Sequence, residues 1–250
     1  MSWFLSFDPA TSTFAFCLCQ IRLADFRAAL PGLRSRASSL GEDVRRARSR
    51  MAAGFSAPDM GRVISALASE VSALDLESKQ FLRILDGDVR NTCPDRKDSE
   101  ISTVERIRAT VRYVNERVKP AVSAFVPPGE PLTVLVEFQM GANAHSRTVS
   151  TVLFTLFAAD RVFAVGPSLK NRVALAPEGR FHVFAARYGT SCGAVKAQTL
   201  FNFKKAEELF GSSIPEIRPP RLRGHIADSF MQILGHLAFG GSDEEAGARF

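Results

Sequence analysis

Two kinds of apolar pattern alternate along the chain: short unbroken runs, and longer stretches in which apolar residues return every three or four positions. Residues 3 to 7 and 13 to 23 are unbroken runs rich in Phe, Leu and Cys. They predict two strands joined through the tight Asp8-Pro9-Ala10-Thr11 connection of a hairpin. FLRIL at 81 to 85 predicts a third strand, with DGDV as the turn that closes it. After the break VPPGEP, LTVLVEF at 132 to 138 is continuous and apolar, as a central strand buried on both faces requires. RVFAVG at 161 to 166 predicts another strand, and 181 to 187 is a further candidate.

The helical stretches lie between and after these runs. Residues 24 to 78 carry many arginines amid Ala and Ser, are broken at Pro31-Gly32 and Pro58, and predict two or three helices. From Ser102, residues Val104, Ile107, Val111, Val114 and Val118 recur at helical spacing, Ser102 and Glu105 form a capping box, and Pro120 lies near the end. Val149, Val152, Leu153, Leu156 and Phe157 share one face of a helix over 146 to 158. A last helix over 224 to 238 places Ile226, Phe230, Ile233, Leu234 and Leu237 on its apolar stripe, with Asp228 off it. Three strands followed by alternating helices and strands is the order of the ribonuclease-H-like fold. The expected class is therefore α/β, a mixed sheet flanked by helices, with a helical insertion after the second strand.

Composition adds bounds. The 250 residues are 46% hydrophobic, enough for a sizeable core in a single domain over 1–250, with 24–78 as an insertion and 240–250 as a disordered tail. Lys and Arg outnumber acids by 32 to 26, a formal charge of +6 that favours anionic partners such as nucleic acid. Four cysteines are too few for a disulfide framework, and Cys17 and Cys19 alternate along a strand, so a reducing intracellular compartment is expected. The apolar start has no basic segment and meets Asp8 early, unlike a signal peptide or membrane span.

Three acids stand at informative places. Asp8 ends the first strand, Glu137 ends the central one, and Asp228 opens the last helix. A carboxylate at the end of a buried strand is costly unless it is paired or holds a metal. Three of them, gathered at one sheet edge, offer the oxygen ligands that Mg²⁺ prefers and that two-ion phosphodiester hydrolysis uses.

The segments that carry these acids also resemble a known family. SFDPATSTFAFCL, VLVEFQMGANAHS and RGHIADSFMQILGHL resemble, in order, the three acidic motifs of the RuvC-type Holliday-junction resolvases. The Glu-x-Gln form of the second is closest to the branch found in poxviruses and other large DNA viruses. VGPSLKNR and GAVKAQTLF resemble the stretches that carry the family's two lysines, here Lys170 and Lys196. Residues 24 to 78 have no counterpart in the resemblance. A further departure is His225, which stands where family members commonly place an acid three residues before the last aspartate.

The resemblance implies a homodimer that binds a four-way DNA junction and nicks two opposed strands symmetrically, without a small-molecule substrate or a membrane, at the site of DNA replication. Asp8, Glu137, Asp228 and His225 would hold two Mg²⁺ ions, with Mn²⁺ as a substitute. Lys196 would act with them on the scissile phosphate. Lys170, Lys196, Met140 and Asn143 would contact DNA, Met140 as an apolar wedge against the junction bases. The alternatives are another ribonuclease-H-like nuclease, acting on flaps or RNA–DNA hybrids, and a catalytically inactive dimer that binds branched DNA.

Overall fold

A computed structural model describes residues 1–9, 13–26, 81–91, 94, 97, 100–138, 144–167, 169–171, 173–175, 179–180, 183–184, 192–212, 214 and 222–239. The expected insertion beyond Phe26, the tail at 240–250, Met140 and Asn143 lie outside the described residues. Of the strand candidate at 181 to 187, only Val183 and Phe184 are described, and their backbone is helical.

Strands β1 (Ser2–Pro9), β2 (Thr13–Ile21) and β3 (Leu82–Asn91) form an antiparallel meander. β4 (Leu132–Glu137) pairs in parallel with the other side of β1, and β5 (Arg161–Val165) pairs in parallel with β4. The sheet order is β3-β2-β1-β4-β5. This is the mixed sheet of the ribonuclease-H-like fold that the order of apolar runs predicts.

Side chains alternate across the strands, and each face of the sheet has its own helical layer. Trp3, Leu5 and Phe7 of β1 join Val134 and Val136 of β4 in one core. Its helices are α1 (Thr103–Tyr113), a π-helical turn (Val114–Val118), α2 (Lys119–Phe125) and α3 (Ala144–Leu156). Phe4, Cys17 and Leu135 belong to the opposite core, with Ile226, Ala227 and Phe230. That layer is built from α4 (Cys192–Phe210) and α5 (Arg223–Phe239). Each large apolar side chain so buried contributes about 1.5–3 kcal/mol relative to exposure. Ser6 and Asp8 share the parity of Phe4, and Glu137 that of Leu135, so the polar residues of the central strands point toward the α5 layer.

Four elements differ from the expectation, each for a visible reason. DGDV is part of β3 rather than a turn after it, because both acids have partners on the helical layer that covers this face of the sheet. Arg117 forks onto both oxygens of Asp86 at 2.7 Å, and the Tyr113 hydroxyl donates to Asp88 at 3.0 Å. Gly87 between them faces Ile214 and Ile226, where a Cβ would lie 2.8 Å from Ile214 Cδ1. The register slips between Leu18 and Cys19, a bulge that breaks the simple alternation of FLRILDGDV. The helix that starts at the Ser102 and Glu105 capping box continues past Pro120 to Phe125. Its π-helical turn, just before Pro120, accommodates the missing amide and the bulk of the ring. The buried side of α1 is formed by Arg106, Thr110 and Tyr113, and Val104 of the expected stripe is exposed. Finally, α4 had no counterpart in the pattern, since its buried face mixes Ala194, Phe203 and Ala206 with Gln198, Thr199 and Asn202. Asn202 accounts for its own burial: it accepts from the Leu175 amide at 2.8 Å and donates to the Gly179 carbonyl at 2.7 Å.

The contrast between buried and exposed positions is testable. Leu135→Ala, in the centre of the sheet, is expected to cost about 2–5 kcal/mol in urea unfolding. Val104→Ala on the exposed side of α1 should change stability by less than about 0.5 kcal/mol. Equal effects at the two positions would contradict the assignment of the core.

Candidate active site

β1 and β4 run in parallel with Phe7 opposite Val136. The next residue on each strand, Asp8 and Glu137, therefore comes level with the other at the carboxyl ends, on the face under α5. Asp228 enters from α5. Lys170 arrives on a short 3-10 turn (Leu169–Asn171) that follows β5. Gly235 permits that turn to settle on α5: a Cβ there would lie 2.6 Å from the Leu169 carbonyl oxygen.

These four side chains are almost sealed from water, with relative exposures of 5% for Asp8, 2% for Glu137, 4% for Asp228 and 7% for Lys170. The Lys170 ammonium donates to Glu137 Oε2 at 3.0 Å and lies 3.2 Å from Asp228 Oδ2. Glu137 Oε2 also accepts from the Gln232 amide, whose own carbonyl accepts from the Ser6 hydroxyl at 2.8 Å. His225 Nδ1 lies 2.8 Å from Asp8 Oδ2. Asp228 Oδ1 is buried and has no hydrogen-bond partner among the described residues.

The electrostatics follow from this crowding. Burial raises the Glu137 pKa above the ordinary carboxylate range; Lys170 pulls it down, while Asp8 and Asp228 push it further up. Burial likewise raises Asp228, against Lys170 and Thr199 and together with Asp8. For Lys170, burial works against the ammonium, but Asp228, Glu137 and Asp8 outweigh it and hold the group firmly charged. Three carboxylates thus share one buried cation, and the negative charge is undercompensated.

The structure brings Asp8, Glu137, Asp228, His225 and Lys170 together. Lys196 is exposed on α4, and its carbonyl accepts from the Thr199 hydroxyl at 3.2 Å. Sequence reasoning missed Ser6, Gln232, Thr199 and Gly235. Two of them had a signal: Ser6 is two residues before Asp8 on the same strand face, and Gln232 follows Asp228 by one helical turn. Thr199 and Gly235 had none, because they depend on which helices meet.

As the side chains stand, no three His, Cys, Asp or Glu among the described residues are arranged to hold one metal ion. The expected four-residue set is adjacent but paired off, Asp8 with His225 and both Glu137 and Asp228 with Lys170. The residues nevertheless fit a hard divalent cation. The donors are carboxylate oxygens, and the orphaned Oδ1 of Asp228 is a buried acceptor in need of positive charge.

No protein-family model and no curated protein matches the chain. Among solved structures it is similar to RuvC of Thermus thermophilus, with 16% identity over 96% of each chain and a TM-score of 0.43. It is also similar to T. thermophilus RuvC in complex with a Holliday junction substrate, with 13% identity over 96% of each chain and a TM-score of 0.42. Among the described residues, no helix is long and apolar enough to cross a membrane.

The raised Glu137 pKa has a definite consequence for stability in chelator. Its ordinary value is 4.5, and folding shifts it upward, so the folded state binds more protons than the unfolded state in the window above 4.5. This contribution to stability falls as pH rises through that window. Glu137→Gln removes it. Urea unfolding between pH 4 and 7 should therefore show the variant gaining on the wild type as pH increases, and a difference independent of pH would contradict the assignment.

Proposed function

We propose that this chain is a metal-dependent endonuclease that resolves four-way DNA junctions by paired symmetric nicks, acting as a homodimer. One observation carries the reading. The acids of the three motifs that resemble those of the junction resolvases, Asp8, Glu137 and Asp228, converge from two strands and a helix into one buried cluster whose charge is undercompensated. A purely structural acid cluster would be expected to satisfy its carboxylates, as Arg117 and Tyr113 do for Asp86 and Asp88.

Asp8, Glu137 and Asp228 would hold two Mg²⁺ ions, or Mn²⁺ in their place, with His225 adding the ring nitrogen that Asp8 does not take. When bound, such ions supply positive charge against the phosphate oxygens and acidify water at neutral pH. The chain's own residues do the positioning. Gln232, itself held by Ser6, fixes the Glu137 carboxylate, and His225 fixes that of Asp8. Lys196, exposed on α4 three residues before Thr199, would meet a DNA phosphate. The formal charge of +6 favours the same partner. Met140 and Asn143, a few residues beyond Glu137 in the sequence, would contact the junction. Recognition would rest on junction shape, because these contacts address phosphates and unstacked bases rather than base edges.

The test is cleavage of a synthetic four-way junction beside linear duplex, flap and RNA–DNA hybrid, with Mg²⁺ and with chelator. Paired nicks in the junction alone, dependent on Mg²⁺, are expected. Asp8→Asn, Glu137→Gln and Asp228→Asn should each lower the rate by a factor on the order of 10² or more while junction binding persists. Preferential cutting of flap or hybrid would assign a different nuclease, and binding without cleavage would leave an inactive junction-binding dimer.

A further inference from the structure

The place where a metal ion would need both Glu137 and Asp228 is held by a side chain. Lys170 Nζ is 3.0 Å from Glu137 Oε2 and 3.2 Å from Asp228 Oδ2, with most of its side chain buried. An ammonium is a compact point charge with three donors, suited to stand between two carboxylates. The turn that carries it is seated on α5 by the close approach of Leu169 to Gly235, so the lysine is anchored rather than draped over the site. Among the described residues its partner Asp228 still has an unpartnered oxygen, Oδ1, and no three His, Cys, Asp or Glu are arranged around one ion position.

We propose that Lys170 is a resident cation of the site: in the metal-free protein its ammonium clamps Glu137 to Asp228, and a divalent ion acquires both carboxylates only by displacing it. This rests on the reading of the cluster as a metal site and adds what controls its loading. The exchange involves no covalent step: one ammonium leaves the two carboxylate oxygens and one hydrated divalent ion takes them. Lys170 thereby sets the affinity for the metal. It also keeps the buried acids from repelling one another when metal is scarce. Two unit charges about 4 Å apart at an effective dielectric near 20 correspond to roughly a thousandfold in affinity, and screening by water admitted with the ion leaves about tenfold as the expected effect.

The test uses the full chain, freed of metal with chelator and then titrated with Mn²⁺ by calorimetry, alongside thermal unfolding with and without Mn²⁺. Lys170→Met should bind Mn²⁺ about tenfold more tightly than the wild type, melt lower without metal, and gain more from Mn²⁺. Lys170→Gln removes the charge while retaining hydrogen bonding, and carries the comparison should the methionine variant fail to fold. Asp228→Asn should bind more weakly than the wild type. Neutral variants that bind Mn²⁺ no better than a wild type that does bind would overturn the resident-cation proposal and leave the metal site standing. An absence of Mn²⁺ binding in the wild type and both Lys170 variants would overturn the metal site itself.

Discussion

Three carboxylates and one ammonium meet in a nearly dry pocket, where burial and the neighbouring carboxylates disfavour the charged forms of Glu137 and Asp228. Lys170 compensates part of that cost, and several features of the fold serve to hold it and its partners in place. The parallel register of β1 and β4 sets Asp8 level with Glu137. The packing of α5 over the sheet delivers Asp228, and Gly235 lets the lysine's turn approach α5 closely. Gln232 and Ser6 tie the Glu137 carboxylate back to β1. Breaking a buried pair by removing one member typically costs several kcal/mol, so such a cluster persists only where surrounding packing imposes it.

The molecule contains a second acidic group that shows what a closed arrangement looks like. On the opposite face of the sheet Asp86 receives both prongs of Arg117, and Asp88 receives the Tyr113 hydroxyl and lies near the same guanidinium. Arg117 also stacks over Phe16 and Arg90 over Tyr113. That network ties β3 to the helical layer of α1 and α2. Among the described residues of the α5 layer the cation is a lysine shared between two acids, and one carboxylate oxygen is left without a partner. The two clusters differ in completeness, and incompleteness is what leaves capacity for a ligand.

Much of this was legible in the order of apolar runs. β1, β2, β4, β5, α3 and α5 fall where the unbroken runs and the helical periodicity predict them, because local apolar patterning dominates their buried sides. The convergence of Asp8, Glu137 and Asp228 also followed from their positions at the ends of strands and the start of a helix. What sequence could not supply came from long-range packing. The acids of DGDV read as a turn because their partners, Arg117 and Tyr113, lie on a helix far along the chain. That the helix runs on from Pro120 to Phe125 was not legible, because the π-helical turn that accommodates the ring leaves no mark in composition. α4 went unseen because its buried side is partly polar, satisfied by loop backbone at Leu175 and Gly179. Lys170 read as a DNA contact, because nothing local announces that it will be enclosed by two distant acids.

Anomalous diffraction from crystals of the protein treated with chelator and then soaked in Mn²⁺ addresses the central claim directly. The account predicts a peak bounded by the carboxylates of Asp8, Glu137 and Asp228, with the Lys170 ammonium withdrawn from the oxygens that it contacts in the metal-free form. Acids that face different surfaces, or a pocket with no peak and Lys170 still in place at saturating Mn²⁺, would contradict it.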